Sequence, residues 1–366
     1  MVSARFITFM EIYQCTLITT IFPTPTVLAF LITFFTRLII NCRKTPHNMK
    51  RDSMIATIYD FPPQEFLVSS TQIPSYGPDE VLVEVKASSI NPVDYKLKTS
   101  QLPIIRWFFP WNAGRDFAGI VIAKGNNVKK FNIGDEVFGN ACGGSLQEYS
   151  IARQNEISLK PTKLNFVEAA SIGLAGATSL QALKWFKTLT HEDTVLIIGA
   201  SGGCGGFGVQ IAKSYGSKVY GVCSAKNVEL VKGFGCDVIL DYTNPNFLDD
   251  LKDVKFDIIY DTVSSPEDAD QEVIFRKYLK GTGKYVAING ARSDMIRGQL
   301  GCERQGYHCH LLKWNTEDLN DLRDLVENNL VKIMSIQTFR LTQEDIDRAF
   351  GLMASRRTVG KLSFEI

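Results

Sequence analysis

The chain has no Cys-x-x-Cys pair, no long block of basic residues, no internal repeat and no low-complexity segment. Its eight cysteines (Cys15, Cys42, Cys142, Cys204, Cys223, Cys236, Cys302, Cys309) are scattered, without the spacing of a secreted disulfide scaffold. They read as reduced intracellular thiols. A net charge of +1 without a basic block excludes nucleic acid as the main partner. Apolar material is ample: 45% of 366 residues are hydrophobic against 22% charged. At the usual ~100–200 residues per domain, that supports two full cores.

The most informative stretch is VLIIGASGGCGGFGVQIA, Val195–Ala212. An apolar β-forming run stops at Gly199, Gly202 and Gly205 follow at three-residue intervals, and a helical pattern begins straight after. This G-x-x-G-x-x-G strand–turn–helix has a variant spacing of the dinucleotide-binding turn. Glycines let the backbone turn tightly and approach a pyrophosphate, which rests on the N–H groups and positive dipole end of the helix. Ser201, Gly203 and Cys204 complete the turn.

The N-terminus differs from the rest. No charged residue occurs for about 25 positions from Ile12 to Thr36, long enough to cross a bilayer. Basic residues follow (Arg37, Arg43, Lys44, Lys50, Arg51), so the positive-inside rule leaves the remainder in the cytoplasm. Pro23 and Pro25 interrupt the run, and the globular pattern starts only near Met54. Two readings stay open for residues 1–53: a membrane anchor through residues 12–40, or a start codon set upstream of the true one at Met49 or Met54. A mitochondrial targeting peptide is a third, although the segment is not Arg/Ser-rich.

From Met54 to about Ser171, short alternating runs with Pro/Gly punctuation predict a β-rich, barrel-like unit: MIATIYDF, VLVEVKASSI, FAGIVIAKG and DEVFGNACGG. From about Leu174, strands and helices alternate. The strands are VLIIG, KVYGVCS, VILDY, FDIIYDTV and KYVAING, with HCHLLKW as a possible sixth. That alternation predicts a doubly wound parallel sheet. The last segment reads as a capped helix, a Gly hinge and a strand returning to the β-rich unit. The expected division is 54–173 with 316–366 for a discontinuous β-rich domain, and 174–315 for the parallel-sheet domain.

Several motifs then occur in order: SSINPVDYK (Ser88–Lys96), GRDFAGIV (Gly114–Val121), VKKFNIGDEVFG (Val128–Gly139), GGSLQEY (Gly143–Tyr149), EAASIGLAGATSLQAL (Glu168–Leu183), the glycine turn, and TVGKLSFEI (Thr358–Ile366). On these, the chain from Met54 onward resembles the zinc-independent quinone oxidoreductase branch of the medium-chain dehydrogenase/reductases. Within that branch it is most similar to the zeta-crystallin-like, plant alkenal and chloroplast-envelope quinone oxidoreductases. The resemblance implies an α/β architecture: a discontinuous GroES-like β-rich substrate domain plus a Rossmann doubly wound parallel sheet, with the active site in the cleft between them. It also implies hydride transfer from NADP(H) to a quinone or enone, and a homodimer.

Zinc alcohol dehydrogenases of this superfamily place Cys where this chain has Asn91, and Gly-His-Glu where it has Gly114-Arg115-Asp116. No four-cysteine cluster follows, so no metal is expected. The one rival cluster, Cys302, His308, Cys309 and His310, would alternate across the faces of a strand and not converge.

An NAD-specific fold ends its second strand with an acid; here that strand ends VCSAKN. Ser224, Lys226 and Asn227 therefore point to NADPH, with Lys226 as a point charge for the 2′-phosphate. By resemblance, Tyr242 reaches the same phosphate. The loop bearing Asn91, Tyr95 and Lys96 faces the nicotinamide in relatives. Asn91 or Lys96 would donate to a carbonyl oxygen as charge develops on it, while Asp94 reads as a salt-bridged structural acid. Thr178 resembles the nicotinamide-ribose contact, and Asp261, Asn289 and Gly290 end strands at the carboxyl edge, where ligands collect.

The aromatic run Leu102–Asn112 suits a flat quinone or a lipid-derived enal, or equally an interface. Cys204 stands where relatives usually have Val; it reads first as an inert small packing residue, with a reactive thiol of lowered pKa at a helix N-terminus as the alternative. Two functions are weighed: a zinc-free NADPH-dependent reductase of quinones or α,β-unsaturated carbonyls, and a nucleotide-binding scaffold with weak or no turnover, possibly membrane-tethered.

Overall fold

The computed structural model describes residues 52–60, 65–99, 112–264, 271–300, 302, 305–356 and 358–366. The apolar run at 12–40, with nearly all of the N-terminal extension, lies outside the described residues. So does the aromatic run apart from Asn112.

A hairpin of β1 (Ser53–Asp60) and β2 (Glu65–Gln72) is followed by β3 (Glu80–Ile90) and the short helix α1 (Pro92–Thr99). Then come β4 (Asp116–Lys124), β5 (Glu136–Asn140), β6 (Tyr149–Arg153) and β7 (Ile157–Leu159). Helix α2 (Phe166–Lys184) leads to the alternating half: β8 (Thr194–Ile198), α3 (Gly203–Ser214), β9 (Lys218–Cys223), α4 (Val228–Gly233), β10 (Val238–Asp241), β11 (Phe256–Asp261), α5 (Gln271–Phe275), β12 (Leu279–Ala287), α6 (Arg292–Gln299) and β13 (Tyr307–Cys309). The chain closes with α7 (Thr316–Glu327), β14 (Ile336–Arg340), α8 (Gln343–Ala354) and β15 (Lys361–Glu365).

Six strands form one parallel sheet in the order β10-β9-β8-β11-β12-β13. In chain order that is 3-2-1-4-5-6, the doubly wound arrangement, whose order reverses between β8 and β11. The possible sixth strand does join, one residue earlier than its apolar run suggested, with Tyr307 opposite Tyr285. The second sheet runs β14-β15-β3-β4-β5-β7, with β6 also pairing β3. β15 lies antiparallel to β3, setting Leu362 opposite Ile90. The end of the chain is thereby stitched to the strand that delivers Asn91.

Helix α2 is the common wall of both sheets. Asn165 and Glu168 form a capping box at its start. Its Ala/Gly-rich faces admit close neighbours, and one core cluster joins Ala87, Ala118 and Phe138 of the antiparallel sheet to Val195, Ile197 and Tyr260 of the parallel one through this helix. Among the described residues α2 is the one helix long and apolar enough to cross a membrane, and it is mostly buried inside the protein.

Leu322 of α7 fills the notch at Gly176, where an added Cβ would lie 2.6 Å from its Cδ2. Leu322 is fully buried. Leu322→Ala is expected to lower unfolding stability by about 2–5 kcal/mol, read from denaturant midpoints, because α2 and α7 cannot close the gap. A loss below about 1 kcal/mol would show that the wall does not depend on this contact.

Candidate active site

At the end of β8, Gly199 adopts φ +81°, a left-handed conformation that disfavours any side chain. Gly199 and Ala200 both donate their N–H to Val222 O (3.1 and 3.0 Å), and Gly202 N donates back to Gly199 O at 3.0 Å. The three glycines differ in what confines them. A Cβ on Gly205 would lie 2.1 Å from Gly199 O, so helix and strand ends are in backbone contact there. A Cβ on Gly202 would meet only Gly199 O, at 3.4 Å. Gly202 is the N-cap of the 12-residue α3 and offers no side-chain cap. The uncapped amides of the first turn fit a phosphate of a dinucleotide. Ser201 and Asn227 meet beside it (Asn227 Nδ2 to Ser201 Oγ, 3.0 Å).

The loop after β11 folds over this turn: Thr262 Oγ1 donates to Ile198 O at 2.7 Å, and Val263 packs against Gly199. Asp261 holds that loop. Its buried carboxylate accepts from Val263 N (2.9 Å), Ser264 N (3.0 Å), Ser264 Oγ and Tyr285 OH (2.7 Å). These four donors engage both oxygens, so Asp261 serves the site by shaping its roof. Gly290 is buried, with Tyr307 OH 3.0 Å from the position of an added Cβ. Asn289 accepts from Lys96 Nζ at 2.7 Å, which joins α1 to the carboxyl end of the parallel sheet.

Asn91 is buried among charges. Its Nδ2 donates to Asp116 Oδ2 at 2.9 Å, and its Oδ1 accepts from Lys361 Nζ. Lys361 Nζ also stands 3.6 Å from Asp116 Oδ2. The other Asp116 oxygen accepts from Leu174 N at 2.6 Å, on the side of α2 where Gly173 leaves room. Burial pushes the Asp116 carboxyl up, against the pull of Lys361 and Asn91. Asp94 does not form the expected salt bridge: it accepts from Asn91 N (2.8 Å) and Gly114 N (3.2 Å), capping the loop with backbone partners. Burial raises its carboxyl to about 6, opposed by the Asn91 bond and by Arg115, with Asp116 pushing further up and Lys361 down.

Tyr95 is half-buried against the core under α8, and Lys96 is exposed. At the far end of the turn Ser224 is buried, Lys226 is exposed and Tyr242 is 58% exposed. Tyr242 N donates to Cys223 O at 3.1 Å, which brings the end of β10 beside Ser224. The nearby acid, Asp241, accepts at Oδ1 from Thr243 N (2.9 Å) and Thr243 Oγ1 (2.7 Å).

Thr178 is buried on α2 next to Ser179, whose Oγ bonds Cys204 O (2.8 Å) and Tyr260 OH (3.2 Å). The pKa of Cys204 is raised rather than lowered, in line with a packing role and against a reactive thiolate. Burial pushes the thiol up to about 11, against the pull of Lys361 and of the Tyr260 and Ser179 hydroxyls.

Lys361 is the residue that sequence reading passed over, although it stands in the TVGKLSFEI motif. Its aliphatic stem lies against the turn, Cδ 3.4 Å from the position of a Cβ on Gly203, while its ammonium reaches Asn91. Among the described residues no group of three His, Cys, Asp or Glu converges to hold a metal. The donors around Asn91 are an amide, carboxylates and an ammonium, a set unsuited to zinc. His308 is stacked on Trp185 at 3.9 Å and His310 lies edge-on to the same ring.

Residues 77–162 match the family model described as alcohol dehydrogenase GroES-like domain, and residues 234–362 match zinc-binding dehydrogenase. A 2-methylene-furan-3-one reductase of Solanum lycopersicum is 31% identical over 307 residues, covering 81% of this chain and 74% of that protein. An NADPH-dependent alkenal/one oxidoreductase, chloroplastic, of Arabidopsis thaliana is 34% identical over 236 residues, 62% of this chain and 59% of that one. The solved quinone oxidoreductase from Coxiella burnetii superposes with a TM-score of 0.73 at 31% identity, covering 86% of this chain and 99% of that chain.

The raised carboxyl of Asp94 gives a pH signature. A carboxyl that holds its proton more tightly in the folded state contributes stability that is complete below its unfolded pKa and is lost as pH rises through about 6. Up to about 3 kcal/mol is at stake. Thermal melts of the wild type and Asp94→Asn between pH 4.5 and 7 should therefore diverge, the variant gaining on the wild type as pH rises. A constant difference would contradict the burial of an ionisable Asp94.

Proposed function

The chain belongs to the medium-chain dehydrogenase/reductase superfamily, and on that premise we propose that it passes hydride from NADPH to quinones or α,β-unsaturated carbonyls without a metal. The observation that carries this reading is the Lys96–Asn289 bond. It closes the Asn91–Lys96 segment over the carboxyl end of the parallel sheet, beside the glycine turn. The names of the tomato, Arabidopsis and Coxiella relatives support the same acceptor classes.

NADPH, when bound, supplies the hydride; the chain supplies position, water exclusion and donors. The first turn of α3 would hold the pyrophosphate. Ser224, Lys226, Asn227 and Tyr242 would surround the 2′-phosphate. Thr178 and the 262–264 loop would flank the nicotinamide end. On the acceptor side, Asn91 Nδ2 has a second N–H beyond the one given to Asp116, and Lys96 carries an ammonium. Both can donate to an acceptor oxygen as negative charge gathers there. Tyr95 supports this segment from the core side.

Consumption of NADPH by the purified protein, offered a naphthoquinone and a medium-chain enal in parallel with NADH as control, tests the reading. Turnover is expected with NADPH, and Lys226→Ala should raise KM for NADPH by roughly 10-fold or more while leaving KM for NADH unchanged. Equal use of NADH would overturn the cofactor assignment. NADPH binding without reduction of either acceptor would overturn the activity.

Asn91→Ala should lower kcat by about 10²-fold with little change in KM for NADPH, read from steady-state rates. Unchanged kcat would remove Asn91 from the acceptor site.

A further inference from the structure

Lys361 sits where the two halves of the site meet. Its backbone belongs to β15 in the antiparallel sheet, its stem lies on Gly203 at the start of α3, and its ammonium holds the carbonyl end of Asn91. The ammonium is almost fully buried, and the Asp116 oxygen at 3.6 Å is too far for a hydrogen bond. Among the described residues, one close acceptor therefore serves a group with three N–H donors. A buried cation with donor capacity left, within a side chain's length of an uncapped helix start, is matched to an arriving anion.

Charge also fixes the Asn91 amide. Its carbonyl faces the ammonium and its NH2 faces the Asp116 carboxylate; the flipped amide would set like dipole ends against both charges. Asn91 is thus clamped at both ends in this structure. A phosphate oxygen on the turn and Asn91 Oδ1 would compete for the same ammonium.

We propose that Lys361 is a positioning residue that couples dinucleotide occupancy of the glycine turn to the orientation of Asn91. A pyrophosphate on α3 draws the ammonium away from Oδ1. Asn91 then keeps only its Asp116 tether, and its second N–H turns to the acceptor oxygen. The acceptor consequently binds better after the dinucleotide than before it. The inference rests on the dinucleotide reading above and goes beyond it in naming the residue that links occupancy of the turn to Asn91.

The test is a binding cycle on the full-length protein with NADP+, which cannot reduce, and duroquinone, a quinone with no open position for thiol addition. In the wild type, NADP+ should tighten duroquinone binding by ~5-fold or more, the lower end of typical coupling between sites. Lys361→Arg should keep that factor, and Lys361→Met should bring it to near one while still binding NADP+. An unchanged factor in Lys361→Met overturns the relay. Should Lys361→Met not fold, the Asn91 side-chain amide resonance of the wild type answers instead: it must shift on NADP+ addition, and a fixed resonance overturns the relay. Failure of the wild type to bind NADP+ at all overturns the dinucleotide reading; NADP+ binding without coupling overturns the relay alone.

Discussion

The cleft is organised around a cation kept out of water. A buried ammonium without compensation costs several kcal/mol, and Lys361 is compensated by one amide carbonyl and one carboxylate held at a distance. Asp116 is in turn stabilised by Asn91 and by a backbone N–H of α2. Removing any member leaves another as a buried, unsatisfied polar group. The loop after β3, the last strand and the central helix are therefore locked by a few polar contacts, and not by apolar packing alone.

Helix α2 makes this possible because it is built from small residues. Gly173 lets the Asp116 carboxylate approach the backbone, Gly176 admits Leu322, and Ser179 reaches across to the glycine turn and Tyr260. A helix of larger side chains would hold the sheets apart and separate Asn91 from the dinucleotide turn. The same crowding explains Cys204. Burial raises its thiol to about 11 although Lys361 and the hydroxyls of Tyr260 and Ser179 pull the other way.

The fold was legible because its signals are local. Apolar runs of five or six residues separated by helical periods announced the parallel sheet, and Gly199, Gly202 and Gly205 marked the tight turn at the end of its first strand. Lys96 and Asn289, named separately as site residues, are brought into contact by the fold. Lys361 was hidden because an ordinary lysine in a terminal strand has no local pattern; its partner Asn91 lies 270 positions away. Asp261 stands out in the sequence because it ends a strand at the carboxyl edge of the sheet; how its carboxylate is engaged does not. The Tyr285 hydroxyl that engages it comes from a neighbouring strand no periodicity could pair with it. Asp94 was misread for a similar reason: sequence suggests a cation for every buried acid, whereas a sharp loop can supply two backbone donors.

The unequal confinement of the three turn glycines bears on how this motif can drift over generations. Position 205 is frozen by backbone contact and position 199 by its left-handed conformation, so neither records anything about what the protein binds. Position 202 has room for an alanine as far as the polypeptide itself is concerned. Only a molecule lying against the turn would penalise a methyl group there. In a lineage that stopped using that molecule, residue 202 is where substitutions would accumulate first, while its two neighbours stayed glycine.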